Sequence, residues 1–339
     1  MPQLKRILFV LDSTYLPHGI SGANVSLHAL CKRLPARGCE PVVICAQDHP
    51  PADSARALGP PPGYTVLRTG DPVTAMHEMS SLFAPAAIVV RAPDPAERIA
   101  AGAAAAGAPG LCIYFESAFF HRSFAPPLAA PNLRYAACSP FLARMAEAYL
   151  GAPVAMVPPL IEPERFRCAA SGDCVLFVNP TSIKGARAAE AIAARLPHRR
   201  FLFVRSWPDH PHHPHRAAAL PNIRMAESTD DMRPLLAQTK LVLMPSVWEE
   251  GWGRVVSEAQ VSGIPAVASD RGGLPETVGP GGVVLPLEAP IERWCEAVER
   301  AFTDDDYFAA LSDGARSQAA RPEYQPGAVV DRFLDFVSS

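Results

Sequence analysis

Short apolar runs alternate along the chain with longer stretches of helical character. Their near-continuous apolar character is typical of parallel strands that are covered on both faces. The alternation itself predicts crossover units built around a parallel sheet. In the first half, the predicted strands are KRILFVLDS, PVVICAQ, YTVLRTG, AAIVVRAP, GLCIYFES, LRYAACS and VAMVPPLI.

The same rhythm starts again after an interruption that is rich in proline and polar residues, at residues 160–172. The second set of predicted strands is CVLFVNP, RFLFVRSW, IRMAES, LVLMPSV, IPAVASD and GVVLP. We therefore predict an α/β fold of two Rossmann-like, doubly wound parallel-sheet domains, residues 1–165 and 172–339, which face each other across a cleft. Helical stretches include NVSLHALCKRLPARG and residues 140–150, and an alternative position for the final helix is on the first domain. Ligands bind beyond the carboxyl ends of such strands, so the cleft is the expected site.

Composition supports two soluble domains and excludes several classes of protein. The 339 residues exceed what one core usually serves, and 49% are hydrophobic while 19% are charged. A formal charge of −3 lacks the basic excess that is typical of nucleic-acid-binding proteins, so we expect no nucleic-acid partner. The eight cysteines include no C-x-x-C pair, which is typical of core residues in a reducing compartment. No signal peptide or membrane-spanning run is evident, so we expect a cytoplasmic protein for which peripheral membrane contact stays open.

The most informative segment is residues 241–279, which predicts a strand, a polar turn, a helix and a second strand. Gly251 and Gly253 allow the turn to bend tightly and approach a ligand. The helix that follows would point free amides at an anion such as phosphate. Glu250 precedes this helix and Glu258 lies within it, and carboxylates accept hydrogen bonds well from paired sugar hydroxyls.

These residues carry a family resemblance. EEGWGRVVSEAQVSGIPAVAS followed by GGLPE resembles the carboxyl-terminal signature of glycosyltransferase family 4, whose members are retaining enzymes with the GT-B fold. The likeness extends to LFVLDS and ISGAN near the start and to FVNPTSIKG in the second half. It implies metal-independent transfer of a hexosyl unit from a nucleotide-sugar, most commonly a UDP-sugar, which is a substrate; no cofactor is implied.

The resemblance also implies a role for each matching residue. Glu258 would bind ribose hydroxyls, Glu250 would lie beside the transferred sugar, and Lys184 would neutralise phosphate charge. Amides after Gly251 would contact the sugar and the diphosphate, and the loop of residues 21–24 would close on donor and acceptor. The implied catalytic residues are Glu250, Lys184 and Arg254; the donor-binding residues are Glu258, Gly251, Trp252, Gly253, Val255, Arg205, Gly22 and Asn24; and the residues near acceptor or sugar are Ser21, Glu116 and His121.

The sequence departs from the family pattern in two places. Many relatives carry an arginine shortly before the lysine of the KG pair, whereas residues 179–183 here read NPTSI, and Arg205 or Arg254 is a candidate for the missing charge. Relatives commonly have a histidine where GLCIYFES presents Glu116 and Ser117. Sugar specificity and the role of His121 therefore stay open.

Simpler interpretations compete with each functional one. Isolated acids such as Glu249 are usually solvated, a lysine such as Lys184 can simply start a helix, and Ser21 can be a helix N-cap. Trp248 and Trp252 are interpreted as wall or packing residues. The histidine-rich residues 209–215 favour a solvated loop over a metal site, and residues 303–306, TDDD, favour a helix cap, so no metal site is predicted.

Two other functions remain alternatives to transfer. One is epimerisation or hydrolysis of a nucleotide-sugar on the same fold, and the other is a non-catalytic sugar-nucleotide-binding protein. Dehydrogenase chemistry is less favoured because neither domain's first strand is followed by G-x-G-x-x-G. The acceptor, whether small molecule, saccharide, lipid or protein, is not identified, because the loops HGISGAN, ESAFFHRSF and PDPAER follow no transferable code.

Overall fold

The computed structural model describes residues 5–16, 21–47, 63–92, 100, 110–118, 132–205, 220–227 and 229–338. The chain divides into two compact units. The first unit comprises Met1–Leu160 together with Pro326–Ser339, and the second comprises Ile161–Gln325. Each unit is built around one parallel sheet, so the predicted pair of Rossmann-like domains is confirmed.

The sheet of the first unit has the strand order β3-β2-β1-β4-β5-β6-β7. Its strands are β1 Lys5–Val10, β2 Cys39–Ala46, β3 Thr65–Thr69, β4 Ala87–Ala92, β5 Leu111–Phe115, β6 Leu133–Ala137 and β7 Val154–Met156. Each predicted apolar run of the first half supplies one of them. Buried side chains on β1 and β2 lie on both faces of the sheet, which explains why these runs do not alternate between polar and apolar positions.

The sheet of the second unit has the order β10-β9-β8-β11-β12-β13. Its strands are β8 Cys174–Val178, β9 Arg200–Arg205, β10 Ile223–Glu227, β11 Thr239–Met244, β12 Ala266–Ser269 and β13 Gly282–Leu285. These also coincide with the predicted runs. The central strands β8, β11 and β12 are neighbours, which places the loops after them side by side.

Helices in the described residues cover the faces of both sheets. They are α1 Gly22–Cys31, α2 Pro72–Phe83, α3 Pro140–Leu150, α4 Ala186–Arg195, α5 Arg233–Ala237, α6 Arg254–Gln260, α7 Leu274–Val278, α8 Ile291–Thr303, α9 Asp305–Ala319 and α10 Pro326–Ser338. The sequence of α3 shows why its bounds were predictable. Ser139 accepts a hydrogen bond from the amide of Leu142, Pro140 occupies the first turn, and Gly151 ends the helix in the left-handed region.

The last helix and the interdomain stretch are placed by their apolar side chains. Phe333 on α10 stacks on Phe9 of β1 with ring centroids 5.7 Å apart, so α10 belongs to the first unit. Phe166 is buried in the core of the second unit, and Ile161 packs against it. From residue 161 onwards, the stretch interpreted as a linker is grouped with the second unit.

Among the described residues, no helix is both long enough and apolar enough to cross a membrane.

Candidate functional site

Three loops meet at the carboxyl edge of the second sheet. They follow β8, β11 and β12 and comprise residues 179–185, 245–253 and 270–273. Because the carboxyl ends of neighbouring parallel strands share one edge, this is where an open α/β sheet binds ligands. Most of the residues predicted to bind the donor lie in or next to these loops.

A glycine allows the first two loops to touch. Gly185 has a φ of +82°, and a Cβ there would lie 1.9 Å from the carbonyl oxygen of Pro245. The amides of Val247 and Trp248 both donate to the carbonyl of Ile183, at 3.0 and 3.2 Å. The lysine between these contacts is thereby held against the loop that contains the acids.

A second glycine joins the other two loops. Gly272 has a φ of +63°, and a Cβ there would lie 2.2 Å from the carbonyl oxygen of Glu250. The amide of the next residue, Gly273, donates to that same oxygen at 2.8 Å. The GG of GGLPE therefore holds the turn that carries the first acid.

Glu250 is a buried acid with two donors. Its side chain is 8% exposed. The Nζ of Lys184 lies 2.5 Å from its Oε1, and the Oγ of Ser246 donates to the same oxygen at 2.6 Å. A buried carboxylate requires such a countercharge, so two predicted catalytic residues are brought into contact although 66 positions separate them.

Glu258 forms a second, nearly buried pair on α6, with 12% of its side chain exposed. Its Oε1 accepts a 2.6 Å hydrogen bond from the Nε of Arg254, one helical turn earlier. Burial raises the pKa of the Glu258 carboxyl above its ordinary value of 4.5, while Arg254 and the charge of Arg165 oppose that rise. The third predicted catalytic residue, Arg254, therefore neutralises the acid predicted to bind ribose.

The remaining donor-binding candidates of the second unit surround these pairs. Gly251, Trp252 and Gly253 are buried in the turn, and Val255 lies in the first turn of α6. Trp252 also packs edge-on against Tyr324 with ring centroids 5.2 Å apart, which agrees with its interpretation as a packing residue.

Arg205 lies apart from the two buried pairs. It ends β9, the neighbour of β8, and its Nη1 donates to Glu227 at 3.2 Å. Of the two candidates for the missing cationic charge, Arg254 is therefore the one in contact with an acid of the site.

In the first unit, the predicted loop begins helix α1. Ser21 accepts a hydrogen bond from the amide of Asn24 at 3.1 Å, so it is the N-cap, and Gly22 is the first helical residue. Capping does not exclude a role in ligand binding. His121 and the histidine-rich residues 209–215 lie outside the described residues.

Asn24 and Glu116 meet at an arginine. Asn24 Oδ1 accepts a 2.6 Å hydrogen bond from Arg91 Nη1, and Glu116 Oε2 lies 2.9 Å from Arg91 Nε. The ends of β4 and β5 and helix α1 thus share one buried polar cluster. Glu116, which lies where the family resemblance led us to expect a histidine, is an acid that is already ion-paired.

Three residues that contact or act on these clusters were not among the predicted site residues. Arg91 and Ser246 each follow or end a predicted strand, and a polar residue at that position was a usable signal. Arg165 lies in the stretch interpreted as a linker, where nothing singled it out.

The acidic run TDDD at residues 303–306 caps a helix, as predicted. Asp304 accepts a hydrogen bond from the amide of Tyr307 at 2.9 Å at the start of helix α9.

The second of the two Rossmann-like units thus carries two acid–cation pairs at the carboxyl edge of its sheet. Residues 177–304, most of the second unit, are similar to the family model described as glycosyl transferases group 1. That range contains all three loops and both buried acid–cation pairs. The finer assignment to glycosyltransferase family 4 stays a prediction.

Curated relatives share only part of their length with this chain. The D-inositol 3-phosphate glycosyltransferase of Corynebacterium kroppenstedtii is 34% identical over 94 residues, which are 27% of this chain and 20% of that protein. The MMP alpha-(1->4)-mannosyltransferase of Mycolicibacterium hassiacum is 33% identical over 94 residues, which are 27% of this chain and 23% of that protein. The match thus spans about a fifth of the length of these relatives.

Solved structures resemble the whole chain. HepE of Anabaena, in complex with UDP and glucose, aligns with a TM-score of 0.78 at 17% identity over 98% of this chain and 99% of that one. A glycosyltransferase from Rickettsia africae aligns with a TM-score of 0.75 at 14% identity over 99% and 98%. At these identities the likeness shows the fold alone, and the predicted GT-B fold is confirmed.

Proposed function

We propose that this protein transfers a hexosyl unit from a nucleotide-sugar, UDP-linked, to an acceptor, without a metal ion and with retention at the anomeric carbon. One observation carries the proposal. Two nearly buried acids, Glu250 and Glu258, are each paired with a cation at the ligand-binding edge of the second sheet. Acids are seldom buried without a paired cation, and buried pairs of this kind that lie at a ligand-binding edge are candidates for a functional site.

The two pairs match the chemistry of a nucleotide-sugar. Its diphosphate is an anion that the ammonium of Lys184 and the guanidinium of Arg254 can bind. Its sugar and ribose present hydroxyls that Glu250 and Glu258 can accept as hydrogen bonds. The complex of HepE with UDP-glucose supports a UDP-hexose as the first donor to test.

The reaction breaks the bond between the anomeric carbon and a phosphate oxygen and forms a bond to the acceptor oxygen. Negative charge develops on the departing diphosphate, where Lys184 and Arg254 stabilise it. For retention, the departing phosphate accepts the acceptor's proton on the same face of the sugar. Loss of one preorganised donor of this kind raises the barrier by roughly 3 kcal/mol.

Adjacent acids provide the test of this proposal. Glu249 precedes Glu250 directly, but it pairs with Arg271 at 3.3 Å and its side chain is 37% exposed, so it serves as the control residue.

A thermal-shift panel of UDP-glucose, UDP-N-acetylglucosamine and GDP-mannose identifies the donor. Release of nucleoside diphosphate, with and without a panel of acceptors that includes inositol phosphates, then separates transfer from hydrolysis or epimerisation.

We expect Glu250→Gln to lower acceptor-dependent turnover about 100-fold, in line with the loss of one preorganised group, while Glu249→Gln retains it. Equal losses in both variants would remove the assigned role of Glu250. Donor binding without turnover on every acceptor tested would favour the non-catalytic alternative. Anomeric NMR of the product tests retention, and an inverted product would exclude it.

A further inference from the structure

Ser246 lies directly behind the first acid and is fully buried, with 0% of its surface exposed. Its Oγ donates to Glu250 Oε1 at 2.6 Å. A side chain so deeply buried has no surface to offer a ligand. An effect of its hydroxyl on a ligand is therefore indirect, and the group that the hydroxyl contacts is Glu250.

The donors around Glu250 are distributed unevenly between its two oxygens. Lys184 Nζ and Ser246 Oγ both bind Oε1. Among the residues that the structure describes, no donor binds Oε2. An ionised carboxylate accepts hydrogen bonds at both oxygens, so one oxygen is held by the protein and the other is left for a ligand hydroxyl.

The backbone of Ser246 is itself held in place. The Oγ of Ser269, another buried serine at the end of β12, donates to the carbonyl of Ser246 at 2.8 Å. The preceding carbonyl, of Pro245, lies against Gly185 of the lysine loop. The backbone on both sides of the Ser246 side chain is thus held by two neighbouring loops.

We propose that Ser246 is a positioning residue for the transferred sugar. Together with Lys184 it holds Glu250 Oε1, so that Oε2 points a lone pair at a sugar hydroxyl. This inference rests on the proposed function and assigns a finer role within the same site. Glu250 serves the sugar and not the nucleotide. Loss of the Ser246 hydroxyl should therefore weaken binding of the nucleotide-sugar but not of the nucleoside diphosphate.

Titration calorimetry on two matched pairs of probes tests this claim: UDP-glucose with UDP, and GDP-mannose with GDP. For the pair of probes that wild type binds, we expect Ser246→Ala to raise the Kd of the nucleotide-sugar about tenfold, which is the usual effect of losing a hydrogen bond to a charged group. The Kd of the nucleoside diphosphate should change less than about twofold, which lies within the effect of a distant surface change. Ser246→Thr, which keeps the hydroxyl, should bind the nucleotide-sugar as wild type does.

Ser312→Ala is the matched control. Ser312 is also a buried serine of the second unit, and its Oγ donates to a carbonyl, that of Gly263, at 2.6 Å. It should lower the melting temperature as much as Ser246→Ala does and leave both dissociation constants unchanged. The control thereby separates the loss of a buried hydroxyl from the loss of this particular one.

Two results would overturn the inference while the proposed function stands. One is an equal weakening of nucleotide-sugar and nucleoside diphosphate in Ser246→Ala, which would make the hydroxyl merely structural. The other is unchanged binding of both probes in that variant. If wild type binds none of the four probes, the proposed function fails first and this inference falls with it.

Discussion

At the scale of single residues, the contact between Lys184 and Glu250 is the most consequential in the second unit. Both side chains are about nine-tenths buried, with exposed fractions of 10% and 8%. Desolvation of two charges costs free energy that their mutual attraction only partly offsets. The pair is therefore better explained by a ligand that uses both groups than by stability.

Breaking this pair from one side should be costly. Lys184→Met leaves the Glu250 carboxylate buried without its countercharge, and we expect the free energy of unfolding to fall by about 3 kcal/mol. Adding Glu250→Gln removes the stranded charge, so the double variant should be more stable than Lys184→Met alone. Urea unfolding of the full cycle measures this. Effects that add within about 0.5 kcal/mol would show that the two groups do not interact.

Glu258 predicts a pH dependence of stability. Its carboxyl has a higher pKa in the folded protein than the ordinary 4.5, chiefly because it is buried. Between those two values the folded state binds more protons than the unfolded state. The contribution of Glu258 to the free energy of unfolding is therefore greatest below pH 4.5 and is lost as the pH rises through the folded pKa.

Glu258→Gln has no carboxyl to titrate at this position. It should therefore lack the pH-dependent contribution of Glu258 to the free energy of unfolding. Urea unfolding measures the free energy of unfolding of wild type and variant from pH 4.5 upwards. As the pH rises, wild type should lose stability relative to the variant, and the difference between their free energies of unfolding should then level off. Parallel curves across the whole range would contradict the raised pKa.

At the scale of elements, glycines determine how the three loops pack. Gly272 and Gly151 offer a matched comparison, because both have a φ of +63°. A Cβ at Gly272 would lie 2.2 Å from the carbonyl oxygen of Glu250, whereas a Cβ at Gly151 would meet nothing within 4 Å. The first position thus combines backbone strain with a clash, and the second has the strain alone.

We expect Gly151→Ala to cost about 1 kcal/mol of stability, the usual penalty for a left-handed alanine. Gly272→Ala should cost at least about 2 kcal/mol more, because the turn that carries Glu250 must move, and nucleotide-sugar binding should weaken with it. Thermal unfolding and calorimetry measure the two effects. Similar costs at both positions, with binding retained, would show that the close approach at Gly272 is dispensable.

The sequence allowed the elements to be predicted better than the contacts between them. Runs such as RFLFVRSW became strands because local apolar character is sufficient to define a strand that is covered on both faces. The turn with Glu250 was recognisable from its local pattern of acid and glycine. The pairing of Glu250 with Ser246 and Lys184 was not predicted, because it depends on how two loops pack after strands distant in sequence fold side by side. The buried position of Phe166 was not predicted for a similar reason, since Pro163 and its polar neighbours concealed that Phe166 packs in the second core.

At the scale of the whole molecule, two units of similar architecture carry different chemistry. The second unit places two acid–cation pairs at its sheet edge, as the proposed donor site requires. The first unit places Asn24, Arg91 and Glu116 together at the ends of its own strands. Asn24 was predicted to bind the donor and Glu116 to lie near the acceptor or the sugar, and both assignments stay predictions.

Metal independence is a prediction about the complete enzyme. Because Lys184 and Arg254 supply positive charge for the leaving diphosphate, we expect turnover to survive prior treatment with EDTA. Addition of Mg²⁺ or Mn²⁺ to the treated protein should then change the rate less than about twofold, far below the effect of a metal that stabilises the transition state. Loss of activity on chelation, with recovery on adding either ion, would contradict this part of the proposal.

A crystal structure of the protein with UDP-glucose, or with whichever donor the panel selects, would show where the nucleotide-sugar binds. We expect ribose hydroxyls at Glu258, diphosphate oxygens at Lys184 and the amides after Gly251, and a sugar hydroxyl at Glu250 Oε2. Nucleotide density elsewhere, with both acid–cation pairs unchanged and untouched, would contradict this expectation.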